Sequence, residues 1–269
     1  MKLTMTPVAY AALAIAVITS PLMAQAQSDA QSKGLEIAKE AEARDLGWQG
    51  SKSKLQMVLQ NRHGSKTTRE LRRQSLEVTD EKLGDKSLVI FDSPRDIKGT
   101  ALLSHTKVLD PDDQWLFLPA LKRVKRISSA NKSGPFVGSE FAFEDLLAQE
   151  VGKYEYAFLK EEKVDGQDCF VVRRIPRYKN SGYKKQIVWW DKAEYRVQKI
   201  EFYDRKDSLL KTLTYGGYKK YAEKYWRPDS MNMVNHQNGK QTLLQFQEWE
   251  LGLKLTDSAF TPAKLKRAR

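Results

Sequence analysis

Between Lys54 and Leu251 the chain alternates in short segments punctuated by turn residues, a pattern that favours neighbouring antiparallel strands over any helical or α/β design. Strands are predicted over 54–61, 67–78, 87–91, 100–109, 114–118 and 123–127. The pattern resumes over 154–162, 169–175, 186–190, 196–203, 209–218, 225–234 and 242–251. Gly64-Ser65, Gly84-Asp85, Asp110-Pro111, Asp165-Gly166, Asn180-Ser181-Gly182 and Asn238-Gly239 supply the turns. Connections this short join antiparallel neighbours in one meandering sheet. No internal repeat, long linker or low-complexity stretch divides the chain, so residues 27–269 read as a single domain.

Helix signals are few. Asp29 to Leu46 carries a cap-like Asp29, apolar Leu35, Ile37, Ala38 and Ala41, and Gly47 as a stop. A second, short helix is predicted over 140–149, with Ser139 as cap and Phe143, Leu146 and Leu147 on one face. Some strands alternate cleanly, as Leu55, Met57 and Leu59 do against Lys54, Gln56 and Gln60, which suits a sheet with one wet face. Others are apolar on both sides: Trp115 to Leu118, Ile187 to Trp190, and Ile200 with Phe202 and Tyr203. Such segments need cover twice over, either as a filled core or as the wall of an apolar cavity, and periodicity leaves both open.

The first residues set the compartment. Lys2, the apolar run from Val8 to Ile18 and Ala24-Gln25-Ala26 form a secretory leader, residues 1–26, cleaved before Gln27. The run is shorter than the roughly 20 residues of a spanning helix, and Gln27 is not the cysteine of a lipid-anchored protein, so no stable membrane anchor is expected. The mature chain is expected in the periplasm. It carries 45 basic against 34 acidic residues, a net charge of +11, which asks for anionic partners. Export excludes nucleic acid and leaves lipid headgroups, cell-wall polymers or acidic protein surfaces. One cysteine, Cys169, forms no internal disulfide, so an ordinary core must hold the fold.

No catalytic or cofactor signature emerges. His63, His105 and His236 lack metal-ligand spacing, Cys169 reads as a strand thiol, and no GxSxG elbow, Walker loop or dinucleotide fingerprint occurs. Asp110, Asp112 and Asp113 flank Pro111 as a turn without the glycine and terminal glutamate of a calcium loop. The chain is therefore expected to be no enzyme and to need no metal or cofactor. The most distinctive stretch is 113–147, where the apolar DQWLFLP runs into the basic LKRVKRI and then SSANKSGPFVGSEFAFEDLL. Its cations fit either a protected edge strand or a docking surface.

The leader without a lipidation cysteine, Asp113 to Pro119 and the C-terminal DSAFTP of 257–262 resemble the LolA/LolB-type outer-membrane lipoprotein-sorting proteins. PRDIKGTALL from Pro94 to Leu103 and the block from Leu118 to Leu146 resemble a LolA-like branch associated with inner-membrane transporters of the resistance-nodulation-division type. The resemblance implies a mainly β fold in which a curved antiparallel sheet forms a half-open barrel under a helical lid. It further implies a carrier that shelters the acyl chains of a lipoprotein or lipid and passes them between membranes, without chemistry. An inner-membrane transporter and an outer-membrane acceptor are the implied partners; an accessory protein of the transporter, carrying no cargo, is the rival. For the cavity the candidates are Leu55, Met57, Leu59, Leu103, Trp115, Phe117, Tyr156, Phe158, Trp189 and Phe202, and for docking Lys122, Arg123, Lys125 and Arg126. Arg69, Arg72 and Arg73 of TRELRRQ are noted as strand arginines without an assigned role.

Overall fold

The computed structural model describes residues 21–80 and 82–267. The expected leader up to residue 20 lies outside the described residues, and α1 (Pro21–Asp45) runs through the expected cleavage point at Ala26. The helix thus begins upstream of Asp29, whose carboxylate accepts a hydrogen bond from Gln25 within the helix instead of capping it. Leu22 to Gln27 are good helix formers and nothing among them stops the helix.

The strands are β1 (Gly50–Gln60), β2 (Lys66–Leu76), β3 (Leu83–Ser93), β4 (Ala101–Lys107), β5 (Asp113–Leu118), β6 (Arg123–Ile127), β7 (Tyr154–Val164) and β8 (Gln167–Pro176). They continue as β9 (Tyr183–Asp191), β10 (Val197–Asp204), β11 (Leu209–Gly216), β12 (Lys219–Tyr221), β13 (Tyr225–Arg227), β14 (Ser230–Asn235) and β15 (Gln241–Leu251). Thirteen form one curved sheet in the order β6-β5-β4-β3-β2-β1-β15-β14-β11-β10-β9-β8-β7, and β12 with β13 makes a separate hairpin. The sheet is two antiparallel meanders joined where β1 pairs with β15, and it does not close into a barrel. The predicted strand 225–234 is two strands, because Pro228 offers no amide to a ladder and the Asp229 amide turns back to the Gly216 carbonyl.

The two edges, β6 and β7, are consecutive in sequence, so residues 128–153 must travel from one side of the sheet to the other. They do so across the inner face, burying Phe136, Phe141, Phe143 and Leu147. The helix predicted over 140–149 is therefore only a single 3-10 turn, Phe143–Leu146. Ser139 does not cap it; the Ala142 amide is bonded by the Asp145 carboxylate. The segment is fastened to so many strands that no stretch is free to wind a longer helix.

Alternation along each strand sorts the core. The inner face carries one large cluster, including Met57, Leu71, Phe91, Leu102, Val188, Phe202, Leu213 and Met233. The outer face carries two smaller ones. Leu88, Ile90, Ala101 and Leu103 are sealed by Phe260 and Leu265 of the C-terminal segment, which ends in α2 (Pro262–Leu265), while Cys169, Val171, Ile187 and Trp189 form the other. Helix α1 seats on β7 through Gly34, where a Cβ would lie 2.7 Å from the Phe158 amide nitrogen.

Candidate functional site

One end of the trough is packed solid. Phe136 lies 5.6 Å from the Phe91 ring and 5.7 Å from Phe143, so the crossing segment fills the space the sheet encloses. Its polar groups are matched across the sheet. Gln114 of β5 donates to the Phe143 carbonyl, Thr242 of β15 accepts from the Glu140 amide, and Thr106 of β4 accepts from the Ala148 amide. Lys211 of β11, nearly inaccessible, pairs with Asp145 at 2.7 Å, and Lys153 with Asp112 at 2.8 Å. Burial pushes the Glu144 carboxyl up, and it is met by the Gly182 amide and the Ser181 and Tyr178 hydroxyls.

The other end is open. Beneath the C-terminal half of α1 lies a cavity of about 590 Å³, walled by aromatic rings of Trp48, Tyr156, Trp190, Tyr218 and Trp226 and roofed by Ala38 and Ala41. Beside α1 runs a wider groove of about 1050 Å³ that reaches Leu35, Val78, Leu83 and Tyr154. The helix end is fastened by Arg227 to Asp45 at 2.6 Å, by Lys224 to the Leu46 carbonyl at 2.6 Å and by Arg44 to the Ala193 carbonyl at 3.2 Å. Glu42 accepts the Val151 amide at 3.0 Å and ties the helix to the end of the crossing segment.

Charged groups enter this open end. Arg73 of β2 and Arg174 of β8 stand in its wall, with Asp85 and Glu150. Burial raises the Asp85 carboxyl to about 7, helped by Glu150 and Glu77 and opposed by its bond from the Val78 amide. Burial raises Glu150 and lowers the Arg73 guanidinium.

Of the ten residues expected to line a cavity, Leu55, Met57, Leu59, Tyr156, Phe158 and Phe202 belong to or pack against the inner cluster. Only Tyr156 of them borders the cavity beneath α1. Leu103, Trp115, Phe117 and Trp189 are on the outer face and line no inner space. The first three lie under the C-terminal segment, and Trp189 is covered by Lys199, whose ammonium sits 3.7 Å from its ring. Large apolar residues on both faces of a strand hid which parity points inward.

The docking candidates Lys122, Arg123, Lys125 and Arg126 are all exposed, on and beside the free edge strand β6. They do not share a face: Arg126 stands opposite outer-face Trp115 and pairs with Asp113, whereas Lys125 stands opposite Leu116, which packs on the inner cluster. The Gly134, Pro135 and Gly138 loop is part of the crossing segment.

Sequence reasoning left Arg69 without a role. Its Nη1 donates to the Val137 carbonyl at 2.5 Å and holds the crossing segment to β2, where Val137 adopts a left-handed backbone. Leu71, buried, marks the inner parity of TRELRRQ, so Arg69 and Arg73 were assignable to the trough and Arg72, paired with Asp92, to the outer face. The Asp112 pairing with Lys153 and Lys132 carried no local signal. The three histidines are apart: His105 bonds the Phe260 carbonyl, His236 Thr212 and His63 its neighbour Arg62. Among the described residues no three His, Cys, Asp or Glu side chains are grouped to hold a metal, and burial pushes the Cys169 thiol to about 11.

The architecture has known counterparts. A domain from Vibrio parahaemolyticus named for outer membrane lipoprotein sorting is 56% identical, with a TM-score of 0.85, over 88% of this chain and 100% of that one. A DUF1329 family protein from Desulfovibrio piger is 30% identical with a TM-score of 0.83, over 88% of this chain and 99% of the other. A LolA superfamily protein from Nitrosomonas europaea shares the fold at 22% identity and a TM-score of 0.68, over 86% of this chain and 98% of its own. A family described only as an uncharacterized protein matches residues 84–267. A comparison with curated proteins finds no match. The chain belongs to the family of the Vibrio lipoprotein-sorting domain and the DUF1329 protein, and its fold is LolA-like. No helix among the described residues is long and apolar enough to cross a membrane.

Proposed function

We propose that this protein is a periplasmic carrier that receives the acyl chains of a lipid or lipoprotein beneath α1 and delivers them to a second membrane. The observation that carries the proposal is the aromatic-walled space of about 590 Å³ left open at one end of a trough whose other end is tightly filled. A chain of about 16 carbons exposed to water costs about 0.8 kcal/mol per methylene, roughly 12 kcal/mol in all, so transfer needs such a shelter. The roof is a single helix with its small residues Ala38 and Ala41 toward the space. Lifting its C-terminal end would break the ties from Arg227, Lys224, Arg44 and Glu42 and uncover Ile37 and Ala38.

The name of the Vibrio relative supports lipoprotein as the cargo class, and the leader of residues 1–26 supports a periplasmic site. Exposed cations on β6 support docking to an acidic or lipid surface near the inner membrane. A second reading, an accessory protein of a transporter with no cargo, draws on the extent of the crossing segment, which already occupies most of the inner face. Purification from periplasm, organic extraction and mass spectrometry separate the two: stoichiometric lipid is expected, and a consistently empty protein overturns carriage.

A further inference from the structure

Two arginines that border the cavity beneath α1, Arg73 and Arg174, form no ion pair among the described residues, which acyl-chain binding alone does not explain. Four of the seven carboxylates that border the cavity are committed to backbone amides. Glu77 accepts those of Gly47 and Gln49, Asp85 that of Val78, Glu150 that of Asp85, and Glu42 that of Val151. Of the cavity's five arginines, Arg44, Arg196 and Arg227 are ion-paired, whereas Arg174 and Arg73 are not. Arg174 is 4% exposed, yet its guanidinium bonds only the neutral Gln186 and Gln149 side-chain oxygens and lies 4.4 Å from the Tyr154 ring centre. Arg73 directs Nε to the Ser75 hydroxyl at 3.1 Å and forms no ion pair among the described residues. Buried guanidinium groups ordinarily carry a carboxylate or phosphate partner, because desolvating the charge alone is costly.

The unmatched neutral groups gather at the same end. Four buried side-chain polar atoms lack a partner among the described residues, and three are Ser53 Oγ, Trp226 Nε1 and Trp249 Nε1. Trp226 borders the cavity with Arg73. Ser53 stands directly across from Arg73 on one side and from Trp249 on the other. Arginine and tryptophan only donate, and a serine hydroxyl also donates, so the set calls for a ligand rich in acceptors. An oxyanion supplies them.

We propose that the cavity beneath α1 binds the oxyanion head of a single-chain or multi-chain amphiphile, a carboxylate or a phosphate, with Arg73 and Arg174 as its charged partners. This rests on the carriage proposed above and adds that the ligand enters with its charged group held, not left in water. The volume is that of an ordinary small-ligand site, about 300–1,000 Å³, enough for a head and the first part of a tail. The longer groove beside α1 continues from it through Glu42, Leu46, Val78 and Tyr156, which border both spaces.

The test compares three ligands with one tail: palmitate, hexadecyl phosphate and hexadecanol, titrated below their critical concentrations into delipidated full-length protein near neutral pH, with calorimetry as readout. Either anion is expected to bind roughly tenfold or more tightly than the alcohol, and Arg73→Gln to remove most of that preference. Preference for palmitate alone identifies a free fatty acid head, and for hexadecyl phosphate alone a phospholipid head. Equal binding of all three by the unaltered protein overturns the anion site and leaves carriage standing. Binding of none overturns both. Arg73→Lys, which keeps the charge, serves if Arg73→Gln does not fold, and it is expected to retain part of the preference.

Discussion

The two ends of the trough belong to one curved sheet yet are built to opposite rules. At the crossing-segment end Lys211 has met Asp145 and Lys153 has met Asp112, and three phenylalanines close the space. At the α1 end Arg73 and Arg174 stand without carboxylates, two indole nitrogens lack acceptors, and room remains. Close packing and matched polar groups stabilise a fold, whereas an unmatched, roomy region contributes little stability and is where a ligand gains most. The difference separates the part of the chain that holds the architecture from the part free to do something with it.

The contrast can be broken at its packed end first. Phe136→Ala is expected to destabilise by about 3–5 kcal/mol, as for a buried aromatic in contact with others, read as a lowered urea midpoint. A loss under about 1 kcal/mol would show the segment to be a removable gate and erase the distinction. Next, Lys211→Met leaves Asp145 buried and unpaired and is expected to cost about 3 kcal/mol; chemical denaturation beside Asp145→Asn in the same background measures how much of that is the stranded charge.

The open end should respond more weakly and in the opposite sense. Asp85, with a folded-state value near 7 against 3.8 for the free group, keeps its proton where the unfolded chain has lost it. Stability therefore falls as pH rises through the window from about 4 to 7. Asp85→Asn is expected to match the parent at the acid limit and exceed it at pH 8 by on the order of 2 kcal/mol, about half an unscreened shift of this size. Parallel stability profiles for the two proteins would remove Asp85 from the account. Smallest is Trp226→Phe, which deletes an unpartnered donor: unliganded stability is expected to rise by no more than about 1–2 kcal/mol, seen as a higher melting temperature. A fall instead would mean that the indole nitrogen has a partner.

Strands were legible because period two survives whatever covers them, and 123–127 was placed without error. Which side of a strand faces the trough was not, at the positions that mattered. Trp115 and Phe117 look like cavity walls until Phe260 and Leu265, some 140 residues later, are seen to lie over them. The crossing segment was opaque for a different reason. Its conformation depends on partners such as Asp112 for Lys153 and Thr242 for Glu140, so no local periodicity records it. Arg73 was visible in sequence as one of three nearby arginines, and only the inner parity of Leu71 singles it out.

The strap from β6 to β7 turns the trough into a cul-de-sac. With both rims tethered to each other and the far end stoppered, the space beneath the helix communicates with solvent only on the helix side, through its own mouth and the adjoining groove.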